Sequence, residues 1–223
     1  MPAGALKRML DFRSARTAVA TFSRKRKVER FYRYFGRGMT VLDVGVSSPS
    51  TSSLPTANYF LNHFRYEPKY YTGLAVQDTT ELRLLHPGKT FVEYPGGKFP
   101  FDDRQFDWVF SNAVIEHVGD HDAQLYFLNE MLRVARRVFF TTPNKYFPLE
   151  LHTNAVLLHW NDRLFYWWCK RTANYFCREN LYLFSDRRLR KLVDLSDAWT
   201  YTLYKDRLLG LTMTFTVICT SER

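Results

Sequence analysis

FDWVFSNAVIEHVGDHDAQLYFLNEMLRVARRVFFTTP, residues 106–143, decides how the chain folds. Its first seven residues, FDWVFSN, and the later VFFTT (138–142) are short aromatic and β-branched runs, the second stopped by Pro143. Between them, Leu125, Leu128, Leu132 and Ala135 recur at helical spacing, with Asp120 or Asp122 available as an N-cap. A strand, an amphipathic helix and a second strand within so few residues predict a parallel crossover.

The same alternation extends towards the N-terminus. TVLDV (40–44), YTGLAV (71–76) and TFVEY (90–94) read as three more strands. Towards the C-terminus, FSDRRLRKLVDL (184–195) predicts a helix capped by Ser185. TYTLYKD and, past Gly210, LTMTFTVI then form a strand pair too closely connected to be anything but antiparallel. The expected fold is α/β: seven strands, five of them in a parallel core, finished by an antiparallel hairpin. Residues 1–37 stand apart as a basic arm, 38–223 form the domain, and about 146–184 form an aromatic-rich insertion.

Composition bounds the function. The 223 residues are 46% hydrophobic and 24% charged, which excludes disordered and fibrous classes. No apolar run is long enough to span a bilayer, and the N-terminus lacks the apolar core of a secretory signal. Cys169, Cys177 and Cys219 are too scattered for a disulfide framework or a thiolate metal site. The expectation is a cytoplasmic protein. The net charge of +10 is uneven: residues 1–37 carry 11 Lys/Arg against 2 Asp/Glu, leaving the remainder nearly neutral. Within that arm, RKRKVERFYRYF (24–35) predicts a helix that lays Val28, Phe31 and Phe35 on the body and solvates its charges. The sharper alternative is a patch for RNA or for an anionic membrane, which would place the protein at the inner membrane face.

In an open parallel sheet, ligands bind beyond the carboxyl ends of the strands. After the first strand stands Asp43-Val44-Gly45-Val46-Ser47-Ser48: a carboxylate, a glycine for a tight turn, then small hydroxyls. It is neither G-x-G-x-x-G nor a triphosphate-cradling loop with Gly-Lys-Ser/Thr.

Together with that loop, FPFDDRQFDWVFSNAVIEHVGDHDAQLYFLNEMLRVARRVFFTTPN (99–144) resembles the core of the class I S-adenosylmethionine-dependent methyltransferases, most closely the type 11 group. The resemblance rests on Pro-Phe, Phe-Asp, Ser-Asn, Glu-His-Val and Arg-Val in that order, and covers roughly residues 39–223. It implies a Rossmann-like fold and S-adenosylmethionine as cofactor. Asp43, Gly45, Val46, Ser47 and the Gln77/Asp78 pair would hold the amino-acid and ribose parts. Pro95 and Gly96 would lie near the adenine, with Ser111, Asn112 and His117 near the methyl group. FFTTPNKYFPLELHT and LLGLT also resemble a bacterial subgroup found with glycan or envelope biosynthesis, which implies a glycan, lipid-linked or other small acceptor.

The chain departs from that pattern in three places. Ser47 replaces the second glycine of the loop. Ala75 stands where relatives carry a ribose-binding acid, unless the register slides so that Leu74 and Val76 are buried and Gln77 and Asp78 reach the strand end. After the third strand, Tyr94-Pro95-Gly96-Gly97 replaces an acid near the adenine. These changes leave open a degenerate fold that serves as a binding module for RNA or membrane.

His117 has the residue type of a general base, with Glu116 orienting it or binding the acceptor. The same pair can instead serve only to line the pocket. His152, beside Glu150 in PLELHT, is a second candidate base. Ubiquinone-pathway O-methyltransferases and small-RNA 2′-O-methyltransferases resemble this stretch, which keeps open a metal-dependent RNA 2′-O-methyltransferase with His152 as the distal histidine beside Glu150 and Mg²⁺ or Mn²⁺ as the metal. Ala113 stands in place of one ligand, so no metal ligand is assigned. Cyclopropane fatty acid synthases also carry Glu-His-Val-Gly, which keeps a lipid acceptor open. The insertion holds 11 of the 38 aromatic residues, Trp160, Trp167 and Trp168 among them. LFYWWCKRTANYF reads either as an amphipathic helix packed on the sheet or as an aromatic lid.

Overall fold

The structure, a computed structural model, describes residues 3–50, 57–172 and 175–221, with side chains from residue 17 onward. The first cations of the arm, Lys7 to Arg16, therefore lie outside the described side chains, as do residues 51–53 of the loop after the first strand.

The strands are β1 (Val41–Val44), β2 (Tyr71–Ala75), β3 (Thr90–Glu93), β4 (Phe106–Asn112), β5 (Ala135–Pro143), β6 (Thr200–Leu208) and β7 (Leu211–Thr220). They form one sheet in the order β3-β2-β1-β4-β5-β7-β6. β1 to β5 run parallel, and β7 inserts antiparallel between β5 and β6. The parallel core and terminal hairpin expected from the sequence are both present. In this order β1 and β4 are central neighbours although far apart in the chain, so the chain reverses direction across the sheet at their junction. Ligands bind at the carboxyl ends of strands at such a junction.

Strand side chains alternate between two buried faces, the condition of a parallel sheet covered on both sides. Leu42, Val44, Val109, Val138 and Phe140 face one core, shared with α4 (His121–Val134) and α6 (Asp186–Asp194). Val41, Trp108, Phe110 and Phe139 face the other, shared with α1 (Ala3–Phe31) and the single turn α2 (Tyr59–Asn62). Both predicted caps form: Asp120 accepts from the amide of Ala123 at 3.1 Å, and Ser185 from that of Arg188 at 3.2 Å. The last helices are α3 (Thr80–Leu85) and α5 (Asp162–Arg171).

Three expectations are corrected. β2 ends at Ala75, and Val76 is 66% exposed rather than buried. Leu74 already fills the inward position, and Ala75 completes the ladder opposite Glu93 on β3. Secondly, α5 does not rest on the sheet. It builds a separate small core from Phe165, Cys169, Ala155, Leu181 and Leu183, and leaves Trp167 and Leu164 exposed.

The third correction concerns the arm. Val28, Phe31 and Phe35 are buried as expected, but the charges beside them are not all solvated. Positions 24, 28, 31 and 35 share one helical stripe, with 27 beside it, so residues 24 and 27 must follow Phe31 inward. Lys27 is only 4% exposed, and Arg30 pairs with Asp206 of β6 at 2.7 Å. Lys25, Arg26 and Arg33 remain on the outside.

Phe31 is the hub of this face, its ring 5.0–5.4 Å from those of Phe35, Phe110, Phe60, Phe139 and Trp108. Phe31→Ala should cost about 3–5 kcal/mol in urea unfolding. Phe22→Ala, on the exposed side of the same helix, should stay within about 0.5 kcal/mol. Equal losses would show that the arm is not anchored through this ring.

Candidate active site

Three adjoining cavities open at the carboxyl ends of β1 and β4. The largest, about 700 Å³, lies between the loop after β1, the ends of β2 and β3, and α4; Gly45, Ser47, Gln77, Tyr94, Gly96 and His117 line it. A second, about 170 Å³, shares Gly45 and Ser47 but reaches Asp43, Asn112 and Arg24 of α1. A third, about 100 Å³, shares Arg24 and Asn112 and continues to Lys27, His152 and Thr214.

The loop after β1 is shaped by what it cannot hold. Gly45 has φ +94°, and a Cβ there would lie 2.4 Å from a methyl of Val114. Any side chain would therefore be strained and would collide with the opposite wall of the cleft. Asn58 grips the loop from the far side: its Nδ2 donates to the carbonyl of Ser47 at 2.6 Å, and its Oδ1 accepts from the Ser47 amide at 3.1 Å. Glu81 of α3 receives the Ser48 hydroxyl at 2.5 Å.

Asp43 lies buried beneath this loop and accepts the Tyr71 hydroxyl at 2.5 Å. Burial pushes its carboxyl up to about 7, against the opposing pull of the Tyr71 hydrogen bond and the Lys89 charge.

Beyond β4, His117 and His152 place their Nε2 atoms 3.1 Å apart. His117 Nδ1–H donates to the carbonyl of Asn180 at 2.8 Å, and His152 Nδ1–H donates to Glu150 at 2.6 Å. With both Nδ1 atoms protonated, two neutral rings would oppose lone pair to lone pair at Nε2. One proton or one cation must lie between them. Burial would lower His152, but the hydrogen bond and charge of Glu150 outweigh it and raise the ring above its ordinary value. Glu150 is itself buried and accepts from the amide and hydroxyl of Thr153 at 2.6 and 2.7 Å. Glu116 is fully buried; one oxygen accepts from Thr142 at 3.0 Å, and Oε1 has no partner. Glu116, His117 and His152 each present a ligand atom within 4.8 Å of the others, a grouping to which the sequence reading assigned no metal. The insertion supplies much of this wall: His152, Glu150, the Asn180 carbonyl, and Phe176 against both imidazoles.

The residues named from sequence fall into two sets. Asp43, Gly45, Val46, Ser47, Gln77, Gly96, Asn112, His117 and His152 line the cavities. Asp78 does not: its carboxylate accepts from the amide of Thr80 at 2.7 Å and starts α3. Pro95 faces solvent, with Tyr94 turned inward instead, and Ser111 is buried behind Asn112. Arg24, Lys27, Asn58 and Tyr126 were not foreseen as lining residues or loop supports. The helical stripe through Val28 and Phe31 carried the signal for the first two. Nothing in local spacing marks Asn58 or Tyr126.

This strand order, with a glycine-gated cleft at the ends of β1 and β4, defines the fold of the class I S-adenosylmethionine-dependent methyltransferases. The chain belongs to the methyltransferase domain family, whose model matches residues 13–197. Among solved structures, it resembles a SAM-dependent methyltransferase from Methanosarcina mazei (14% identity, 85% of this chain and 95% of that one, TM-score 0.60). A possible histamine N-methyltransferase from Thermotoga maritima is similar over 96% of this chain and 95% of its own, at 12% identity and TM-score 0.58. So is the Burkholderia thailandensis 1,6-didemethyltoxoflavin-N1-methyltransferase, solved with bound 1,6-didemethyltoxoflavin and S-adenosylhomocysteine (16% identity, 99% and 87% covered, TM-score 0.57). At these identities the likeness is one of fold. No curated protein matches the sequence.

The buried Asp43 gives a pH signature. Its folded pKa lies above the ordinary carboxylate value, so between about pH 4 and 7 the folded protein binds more protons than the unfolded chain. Stability from this group is complete below about pH 4 and declines as pH rises through about 7. The stability of Asp43→Asn relative to wild type should therefore rise from pH 5 to pH 8 in urea unfolding. An unchanged difference would show that the carboxyl is ionised throughout.

Proposed function

We propose that the protein is an S-adenosylmethionine-dependent O-methyltransferase acting on a small, glycan or lipid-linked acceptor. The observation that carries this is the continuous cleft from Gly45, where no Cβ fits, to His117. When bound, S-adenosylmethionine supplies an electrophilic methyl carbon on a sulfonium. Asp43, Gly45, Val46 and Ser47 would hold its amino-acid part, Gln77 the ribose, and Tyr94 with Gly96 the adenine. Asn112, held by the Thr141 hydroxyl, and His117 would border the methyl group, with Ser111 buried next to Asn112 in β4.

His117 takes the acceptor's hydroxyl proton at Nε2, its ring fixed by the Asn180 carbonyl. In the arrangement with the shared proton on His152, the His117 Nε2 lone pair is occupied by His152 Nε2–H, so the two rings must part before His117 accepts the proton. Glu150 positions His152, and Glu116 borders the pair. Oxygen is favoured as the acceptor atom because a base stands at the methyl end of the cleft. A small acceptor is also in keeping with the neighbours named for histamine and 1,6-didemethyltoxoflavin. A module docking RNA or anionic membrane through the arm has less support, since Arg24, Lys27 and Arg30 turn inward.

A second reading is favoured by the histidine geometry itself. Two imidazole nitrogens 3.1 Å apart, each ring anchored through Nδ1 to a carbonyl or carboxylate, also suit a single divalent cation, with Glu116 Oε1 as third ligand. In that reading Zn²⁺ or Mn²⁺ replaces the shared proton. The two separate in calorimetry on EDTA-treated protein: the base reading predicts no stoichiometric Zn²⁺ or Mn²⁺ binding. One equivalent bound by the wild type and lost in His152→Ala would establish the metal.

The cofactor assignment is tested at the glycine. S-adenosylhomocysteine at 100 times its Kd should stabilise the wild type by about 2.7 kcal/mol, and Gly45→Arg should abolish that shift without unfolding the protein. A retained shift would place the cofactor elsewhere.

A further inference from the structure

The smallest of the three cavities is lined on one side by two cations, Lys27 and Arg24, that make no direct ion pair among the described residues. Lys27 is 4% exposed, and among the described residues its one hydrogen bond is a long one, 3.5 Å to Oδ1 of Asn112. That oxygen already accepts from the Thr141 hydroxyl at 2.8 Å. Arg24, one turn earlier on the same face, has a buried Nη1 with no partner. Across the cavity, the hydroxyl of Thr214 on β7 is also buried and unpartnered. The neighbouring carboxylates, Asp206 and Glu116, favour the Lys27 charge through space but touch neither cation. Asp206 is bonded by Arg30 at 2.7 Å and by Thr216 at 2.6 Å, and Glu116 accepts from Thr142 through one oxygen and has no partner at the other. Burial lowers Lys27 to about 8, with the Asp206 charge pulling the other way and Arg24 adding to the fall. Arg30, in contrast, makes a direct ion pair with Asp206, so among the described residues the lack of a contacting anion concerns the two cations that face the cavity.

Leaving buried charge and polar donors unpaired is costly, and is retained where a ligand completes them. We propose that the methyl acceptor carries an oxyanion, a carboxylate or a phosphoryl group, seated among Lys27, Arg24 and Thr214. This rests on the methyltransferase reading above and narrows its substrate class. The cavity, about 100 Å³, matches one such group rather than a whole molecule. His152 lines it and bonds His117, which lines the cofactor cleft. An acceptor anchored here therefore presents its neighbouring hydroxyl to the histidine pair. Arg24 also reaches the cavity beside Gly45, so the rival occupant is the cofactor's own carboxylate.

The test is calorimetric titration of the full chain, saturated with S-adenosylhomocysteine, with sodium phosphate and separately with sodium acetate at fixed ionic strength. At least one of the two should bind saturably at one site, the tighter naming the group. Lys27→Met, an apolar chain of similar length, should weaken that binding about tenfold or more, as loss of a charge-assisted hydrogen bond does. Thr214→Val should weaken it less, and both variants should hold S-adenosylhomocysteine within about twofold of wild type. Lys27→Met should also melt no lower than wild type, because it removes a buried unpaired charge. No saturable anion binding, or binding unchanged in Lys27→Met, would overturn the proposal. So would a parallel loss of S-adenosylhomocysteine affinity, which would give the cations to the cofactor. Failure of the wild type to bind S-adenosylhomocysteine at all would overturn the methyltransferase reading and this proposal together.

Discussion

The seating of Phe31 against Trp108, Phe110 and Phe139 is the contact on which the rest of the site depends. A seven-stranded sheet buried on both faces needs apolar cover over β1, β4 and β5, and on one face the N-terminal helix provides it. A helix that buries Phe31 and Val28 has no freedom in where it sends residues 24 and 27. Their cations are carried to the carboxyl ends of β1 and β4 by the same rotation that fills the core. The usual separation between a packing face and a charged face fails here, and it fails at the mouth of the cleft. A buried ammonium is tolerated in proteins when something completes its charge, and Asp206 and Glu116 act on Lys27 only through space, without bonding it.

The histidine pair is the second constraint. Fixing both Nδ1–H groups on strong acceptors settles the tautomers, and settling the tautomers leaves a single position between the Nε2 atoms that demands positive charge. The insertion after β5 completes that arrangement. It brings Glu150 and His152 down one side and the Asn180 carbonyl down the other, while its own small core around Phe165 and Cys169 holds it together independently of the sheet. The chemistry of the acceptor side is therefore built from long-range contacts, whereas the cofactor side is built from the loops at strand ends.

That division explains what the sequence could reveal. The presence and order of every strand were legible, because short β-rich runs are punctuated by Gly45, Pro143 and Gly210, and both capped helices announced themselves through Asp120 and Ser185. The start of β5 was not, since Ala135 fits the helical spacing yet opens the strand. Gly45 and the Glu116-His117 pair were legible because they sit at fixed offsets from strand ends. Asp78 misled: an aspartate just past a strand looks like a ribose ligand, yet two residues before a threonine amide it makes a better helix start. Val76 misled through its hydrophobicity, which suits a buried strand residue but cannot extend β2 beyond its partner β3. The meeting of His117 with His152, 35 residues apart, depends on how the insertion folds back, and no local pattern encodes it.

The most direct measurement is a crystal structure of the protein with S-adenosylhomocysteine. The adenine should lie against Tyr94 and Gly96, the amino-acid end should turn under Gly45, and the sulfur should face Asn112 and His117, leaving the cavity at Lys27 and Thr214 free. A homocysteine carboxylate seated on Lys27, or an adenosine outside the cleft between Gly45 and Tyr94, would contradict this assignment of the site.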